Sequence, residues 1–253
     1  MKNNFLLNFN YLNIYKFPSE KSEVISQIIY GEKFKILSST KKWLKINNSF
    51  DNYVGYIKYN NYIKKFNPTH KVFKLKTKIF KKPFNEKKYE TKKFLSFASK
   101  VSIIQKSNEF IEFEKNKWIK KKDLKIVKSI ENNFVKILKL FLGIKYVWGG
   151  KTYNGIDCSA LLQLIFFYNN KFYPRDTRDQ IKYSKGNKNL MFFKKGDIIF
   201  WKGHVAICLN KKLLIHAYGP KKKVIIMDIK KSILEIKIKS RLEVIGVKNI
   251  NDI

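Results

Sequence analysis

The chain has 253 residues, 44% of them hydrophobic and 15% aromatic, which is ample for packed cores and excludes a disordered polypeptide. Its formal net charge is +35, yet of 54 Lys and Arg residues only Arg175, Arg178 and Arg241 are arginine. A protein that reads bases and grips phosphates in pairs of hydrogen bonds would use more arginine, so nucleic acid is not an expected partner. The lysines are scattered among Asn and Ile along every segment, the composition of an AT-rich genome; an anionic partner such as wall polymer, anionic lipid or nucleic acid is the alternative.

From Met1 to Tyr15, asparagines at 3, 4, 8, 10 and 13 break up any apolar core, and no small-residue cleavage site follows, so no secretory leader is read. The longest apolar run, Leu161 to Tyr168, is interrupted at Gln163 and is too short to span a bilayer. A cytoplasmic location is expected.

The first half repeats itself. Ile14-Tyr15-Lys16-Phe17-Pro18 recurs as Ile79-Phe80-Lys81-Lys82-Pro83, and the run from Tyr30 to Leu37 as that from Phe97 to Ile104. Trp43-Leu44-Lys45-Ile46 matches Phe110-Ile111-Glu112-Phe113, and Gly55-Tyr56-Ile57 matches Lys117-Trp118-Ile119. Each copy holds short alternating runs between Lys, Asn and Ser turns, which predicts two small β-barrels of about 60 residues. The expected boundaries are residues 9–66 and 67–128, the second copy being the more degenerate. Asn67-Pro68-Thr69 reads as the junction, with His70 a linker residue. The run from Ser129 to Leu142 reads as a helix entering a third module, residues 129–253.

That module holds both cysteines and two of the three histidines. Tyr146 to Gly150 reads as a short extended piece and Asn154-Gly155 as a turn. The apolar run from Ala160 to Phe167 predicts a buried helix capped by Asp157 or Ser159. Cys158 then lies at a helix N-terminus, where unpaired N–H groups and the helix dipole favour a thiolate and can face an oxyanion. Pro174-Arg175-Asp176-Thr177-Arg178-Asp179-Gln180 reads as a helix start, with Thr177 and Gln180 spaced as in a capping box. His204 opens the strand-like run to Leu209, Asn210-Lys211-Lys212 reads as a hairpin turn, and His216 closes the next strand. Such a hairpin can set the two imidazoles side by side, so that His216 fixes the tautomer of His204. Cys208 alternates within its strand and reads as a small core residue, and no disulfide framework is expected. A thiol followed by a histidine and then a second polar group is the order of nucleophile, base and orienter in one large class of hydrolases.

Tyr-Val-Trp-Gly-Gly, Asp-Cys-Ser, Pro-Arg-Asp-Thr-Arg-Asp-Gln, Lys-Gly-Asp-Ile-Ile-Phe-Trp, Gly-His-Val-Ala-Ile and Leu-Ile-His-Ala stand here in the order found in NlpC-type cell-wall peptidases. The region from about 130 to 250 therefore resembles that family, with Ala160 at a position where glycine is usual. The repeated first half resembles bacterial SH3-like modules. The resemblance implies an α+β fold: a papain-like catalytic domain, helices packed on an antiparallel sheet, preceded by two small SH3-like β-barrels. It implies Cys158 as nucleophile, His204 as base and His216 as third member, with Tyr146 helping to bind the carbonyl oxygen. Asp157, Ser159, Asp176 and Thr177 fall where members with two SH3-like modules hold the substrate's free α-amino group.

The expected function is thus a cysteine peptidase cutting γ-D-glutamyl-diamino-acid bonds in N-terminally free peptidoglycan peptides. No cofactor or metal is expected, and the expected partners are peptidoglycan-derived peptides. The alternatives are a remodelling endopeptidase or amidase on intact wall, and a non-catalytic SH3-like binder of anionic wall or lipid.

Overall fold

The computed structural model describes residues 4–62, 67–184 and 192–253. The chain forms two compact units: one runs to Ile130 and includes Lys151–Tyr153, and the other comprises Glu131–Gly150 and Asn154–Ile253. The predicted close of the first barrel, at residue 66, lies outside the described residues.

Among the described residues the first unit is built of strands and turns, with short 3-10 turns at Lys87–Tyr89 and Lys121–Asp123. It opens with β1 (Asn4–Leu6), β2 (Tyr11–Tyr15), β3 (Val24–Ile29), β4 (Lys33–Ser39), β5 (Trp43–Asn48) and β6 (Val54–Lys58), an antiparallel sheet in the order β1-β4-β5-β6-β2-β3. Strict alternation on β5 buries Leu44 and Ile46 with Ile57 of β6, Ile14, Ile28 and Phe34 in one apolar cluster.

The second stretch holds β7 (His70–Val72), β8 (Lys76–Phe80), β9 (Glu90–Ser96), β10 (Lys100–Val101), β11 (Gln105–Ser107), β12 (Phe110–Glu114), β13 (Lys117–Lys120) and β14 (Leu124–Ile126). His70 is therefore a strand residue, not a linker. These strands form a three-stranded sheet β10-β7-β14 and a five-stranded sheet β11-β12-β13-β8-β9. The order β5-β6-β2-β3 of the first sheet recurs as β12-β13-β8-β9, and the repeated runs on β2, β5 and β6 fall on β8, β12 and β13, whereas the run holding β4 matches one holding β10, which lies in the other sheet. Val72, Ile79, Leu95, Val101, Ile111 and Ile119 form its core. Lys151 also packs in this unit, its Nζ 2.7 Å from Glu32 Oε1 with neither side chain more than 1% exposed. Asn48 Nδ2 and Ile29 N also donate to the Glu32 carboxylate, so this buried charge is satisfied.

The second unit is the mixed one. Its elements are α1 (Phe134–Leu140), α2 (Cys158–Tyr168), α3 (Thr177–Tyr183) and α4 (Ile229–Ser240), with β16 (Gly155–Ile156) leading into α2; the short β15 (Lys151–Thr152) belongs to the first unit. A five-stranded antiparallel sheet runs β20-β19-β18-β17-β21, with β17 (Asp197–Trp201), β18 (His204–Cys208), β19 (Leu213–Tyr218), β20 (Lys223–Asp228) and β21 (Val244–Asn249). One face of the sheet, with Ile199, Trp201, Ala206, Cys208 and Leu214, packs Ile229 and Ile236 of α4. The alternate residues Ile198, Phe200, Val205, Ile207 and Ile215 are buried as well, and α2 packs against β18 and β19. Every residue of α2 is buried, as expected of a helix apolar all round. Its one long polar side chain, Gln163, donates to the Tyr173 carbonyl at 3.0 Å. No helix among the described residues is long and apolar enough to cross a membrane.

Candidate active site

Cys158 is the first residue of α2, and Asp157 is its N-cap, accepting from Ala160 N at 2.8 Å. The same carboxylate accepts from Gly149 N at 3.0 Å and from Ser159 Oγ at 3.1 Å. Arg175 then forks onto it, Nη2 to Oδ2 at 2.6 Å and Nη1 to Oδ1 at 3.1 Å, while Nη1 also reaches Ser159 Oγ at 2.7 Å. The loop ahead of the thiol is thereby locked to the helix and to the segment before α3. Close packing continues behind it: a Cβ on Gly155 would meet Val147 Cγ2 at 2.2 Å, so only glycine fits at the strand that leads into Cys158.

The sulfur faces backbone. Gly203 O lies 4.0 Å from Sγ, and the N–H groups of Val205 and Ser159 point at it. Gly203 closes the two-residue turn between β17 and β18 with φ +77°, a conformation that a side chain would strain. That turn delivers His204 directly opposite Trp201 in the ladder. His204 Nε2 lies 3.0 Å from His216 Nδ1 on β19, and His216 Nε2 lies 3.3 Å from Met227 Sδ on β20. The ring of Tyr218 stacks on His216, centroids 4.6 Å apart and 12° from parallel. Tyr146 bridges β16 through Ile156, its neighbour Lys145 bridges Lys223 of β20, and its phenol is close enough to feel the charge of Cys158.

Burial governs the protonation states. It pushes the Cys158 thiol up to about 12, with Asp157 adding to the effect and the Val205 and Ser159 N–H groups and Arg175 opposing it. Burial also lowers His204 to about 4 and takes His216 well below the ordinary range, with repulsion from a protonated His204 adding to the latter. The Cys158 thiol and the His204 imidazole are therefore both held toward their neutral forms. The expectation of a thiolate held by the helix N-terminus is corrected: desolvation of a residue 4% exposed outweighs the first-turn N–H groups. The Tyr146 phenol is raised too, chiefly by burial, and so remains a hydrogen-bond donor.

Cys158, His204, His216, Tyr146, Asp157 and Ser159 all gather in this one place. Asp176 and Thr177 stand at the start of α3, immediately after Arg175, and are partly exposed. Asp176, not Thr177, is the N-cap position of α3, and its carboxylate does not cap the helix. The predicted capping box is absent: Gln180 turns back to donate to Ser159 O at 3.0 Å and Pro174 O at 2.9 Å. Asp157 and Ser159 are engaged from within the protein. The five hydrogen bonds to the Asp157 carboxylate come from inside the protein, and Ser159 Oγ both donates and accepts within the same cluster. Val147 to Gly150 form a turn and not a strand, with Gly150 N bonded to Val147 O at 2.9 Å. His216 lies inside its strand, which runs on to Tyr218.

Sequence reasoning assigned no role to Arg175, Val205, Met227 or Tyr218. For Arg175 a signal existed: a chain with only three arginines keeps one where a planar fork is needed. For the other three there was none, since their part is played through backbone or ladder position.

A thiol on the first turn of a buried helix, with an imidazole pair on adjoining antiparallel strands, is an arrangement suited to a cysteine hydrolase. Residues 143–241 match the model of the NlpC/P60 family and residues 10–64 that of the bacterial SH3 domain; the chain carries an NlpC/P60 domain and a bacterial SH3 domain and is a cysteine peptidase acting on peptidoglycan peptides. It is 24% identical over 229 residues to a dipeptidyl-peptidase 6 of Lysinibacillus sphaericus, covering 81% of this chain and 84% of that one. It is 27% identical over 235 residues to a gamma-D-glutamyl-L-lysine dipeptidyl-peptidase of Bacillus subtilis, covering 83% and 77%. The fold matches the crystal structure of an NlpC/P60 family protein from Bacillus cereus with a TM-score of 0.80 at 16% identity, over 97% of this chain and 99% of that one.

Proposed function

We propose that the protein hydrolyses the γ-D-glutamyl-diamino-acid bond of peptidoglycan peptides whose N-terminus is free, releasing the N-terminal dipeptide. One arrangement carries the reading: the Nε2–Nδ1 contact of 3.0 Å between His204 and His216, beside a buried thiol at a helix start. With Nε2 engaged by His216, Nδ1 is the nitrogen of His204 that serves the thiol. As the Cys158 proton passes to Nδ1, Sγ attacks the γ-carbonyl carbon, so the two ions form together in the buried site and attract each other. The oxyanion faces the Tyr146 hydroxyl and the first-turn N–H groups of α2. Collapse returns the proton from His204 to the departing amine of the diamino acid, leaving a thioester. Water, deprotonated by His204, then cleaves the thioester and restores the thiol.

Asp176, with Thr177 beside it, receives the substrate's α-ammonium. Asp157 and Ser159 act behind them, through Arg175, which sits next to Asp176 in the chain and neutralises Asp157. A stem peptide joined to muramic acid has an amide in place of that ammonium, which disfavours intact wall. The names of the two relatives, dipeptidyl-peptidases, agree with release of a dipeptide from a free end.

Residues 67–128 would be a second SH3-like module between the first, residues 9–66, and the catalytic domain, residues 129–253. The recurring strand order β12-β13-β8-β9 supports this. A panel of muropeptides with free and blocked N-termini, analysed by product mass, tests the function. Cleavage of the free tripeptide between D-Glu and the diamino acid is expected, with blocked peptides and sacculi left intact.

A further inference from the structure

The third imidazole raises a problem that an amide orienter would not. A neutral histidine has two tautomers, and only one of them lets His204 work. If His216 carries its proton on Nε2, its Nδ1 lone pair accepts the Nε2–H of His204, and His204 Nδ1 is bare and basic. If His216 carries its proton on Nδ1, it donates to His204 Nε2, and His204 Nδ1 is already protonated and cannot take the thiol's proton.

His216 Nε2 faces the thioether of Met227 at 3.3 Å. A thioether sulfur has lone pairs and no proton, so it accepts and never donates. His216 is 1% exposed, and the Tyr218 ring covers its face, so bulk water does not compete for that nitrogen. The ladder explains the contact. Leu214 pairs with Met227 and His216 with Ile225, which makes Met227 the diagonal neighbour of His216 on the same face of the sheet. The unbranched side chain of methionine spans that diagonal. The next residue, Asp228, caps α4 by accepting from Lys231 N at 2.9 Å, and this anchors the end of β20 that carries Met227.

We propose that Met227 is a positioning residue of the active site: its sulfur selects the Nε2–H tautomer of His216 and so leaves Nδ1 of His204 free to act as the base. The inference rests on the His204–His216 reading above and adds to it a fourth member, the one that decides the direction of the proton chain.

Ring protonation can be read without turnover. In protein labelled with 15N at histidine, two-bond couplings at neutral pH should show His216 protonated at Nε2 and bare at Nδ1, and His204 the same. Protonation of His216 at Nδ1 would overturn the proposal, whatever the activity. The second arm replaces methionine by norleucine, which puts a methylene where the sulfur was, and by selenomethionine, which keeps an acceptor. Only Met191 and Met227 follow Met1 in the chain, so a Met191→Leu background isolates the position. The norleucine protein should lose about two- to tenfold in kcat at unchanged KM, the range of one neutral hydrogen bond, with mixed tautomers at both rings. The selenomethionine protein and the Met191→Leu parent should not. Equal kcat for norleucine and methionine proteins would reduce Met227 to packing. Met227→Leu offers the same comparison genetically, and if it does not fold the wild-type spectrum still decides. Cys158→Ala separates the two readings: turnover by that variant removes the nucleophile assignment and leaves the tautomer measurement standing.

Discussion

The guanidinium of Arg175 meets both carboxylate oxygens of Asp157, at 2.6 and 3.1 Å, with the two side chains only 1% and 6% exposed. This pair joins the residue before the thiol to the residue before Asp176, so one contact sets the distance between the reacting sulfur and the proposed ammonium site.

Removing one partner leaves the other charge buried. Arg175→Ala is therefore expected to cost about 3–5 kcal/mol of unfolding free energy. Arg175→Lys keeps the charge but not the fork, and should recover less than half of that loss. Urea titration measures both, and a Lys variant as stable as wild type would mean that charge alone suffices.

The imidazoles should differ in weight. His204→Ala removes the proton shuttle and is expected to lower kcat/KM by about a thousandfold or more. His216→Ala leaves a space in which water can partly replace the orienter, so a smaller loss, about ten- to a hundredfold, is expected. Steady-state kinetics on a free tripeptide would show it; equal losses would assign His216 a direct part in the chemistry.

Acid should unfold the protein by way of the same rings. An unfolded histidine titrates near 6.5, whereas burial holds His204 at about 4 in the fold and His216 low as well. Between those values the unfolded chain binds protons that the folded chain does not, so stability falls as pH falls across that window. His204 alone contributes on the order of 3 kcal/mol to that fall. Denaturant melts from pH 8 to pH 4 should show the slope, and His204→Ala should flatten it. The acid limb of kcat/KM should likewise lie well below 6.5.

Much of this was legible from spacing. Asp157 as cap, Cys158 at the start of a buried helix, and the hairpin that pairs His204 with His216 all follow from apolar runs and turn residues. The recurrence of β2, β5 and β6 as β8, β12 and β13 was legible for the same reason, since alternation has a fixed period of two. What escaped was settled by tertiary context. Burial reversed the expected ionisation of Cys158, because a sequence shows which residue starts a helix but not what covers it. Gln180 was read as a capping partner from its spacing to Thr177, yet the buried carbonyls of Ser159 and Pro174 claimed its amide. Met227 was silent, since a diagonal contact depends on ladder register.

Asp176→Asn should act chiefly on the free-amine substrate. In the wild type, acetylating the peptide N-terminus is expected to lower kcat/KM by at least about a hundredfold, the range for a charged hydrogen bond in a partly desolvated cleft. The variant should narrow that gap by weakening the free peptide alone. Equal cleavage of free and acetylated peptides by wild type would favour action on intact wall.

The central claim is that Cys158 forms an acyl-enzyme with the N-terminal dipeptide. Rapid acid quench of wild-type protein with L-Ala-γ-D-Glu-diamino-acid peptide, followed by intact-mass and peptide mapping, tests it most directly. The account predicts a thioester-linked Ala-γ-Glu adduct on the peptide containing Cys158, absent from Cys158→Ala, which should be folded and inactive. Turnover by Cys158→Ala, or an adduct on any other residue, would contradict it.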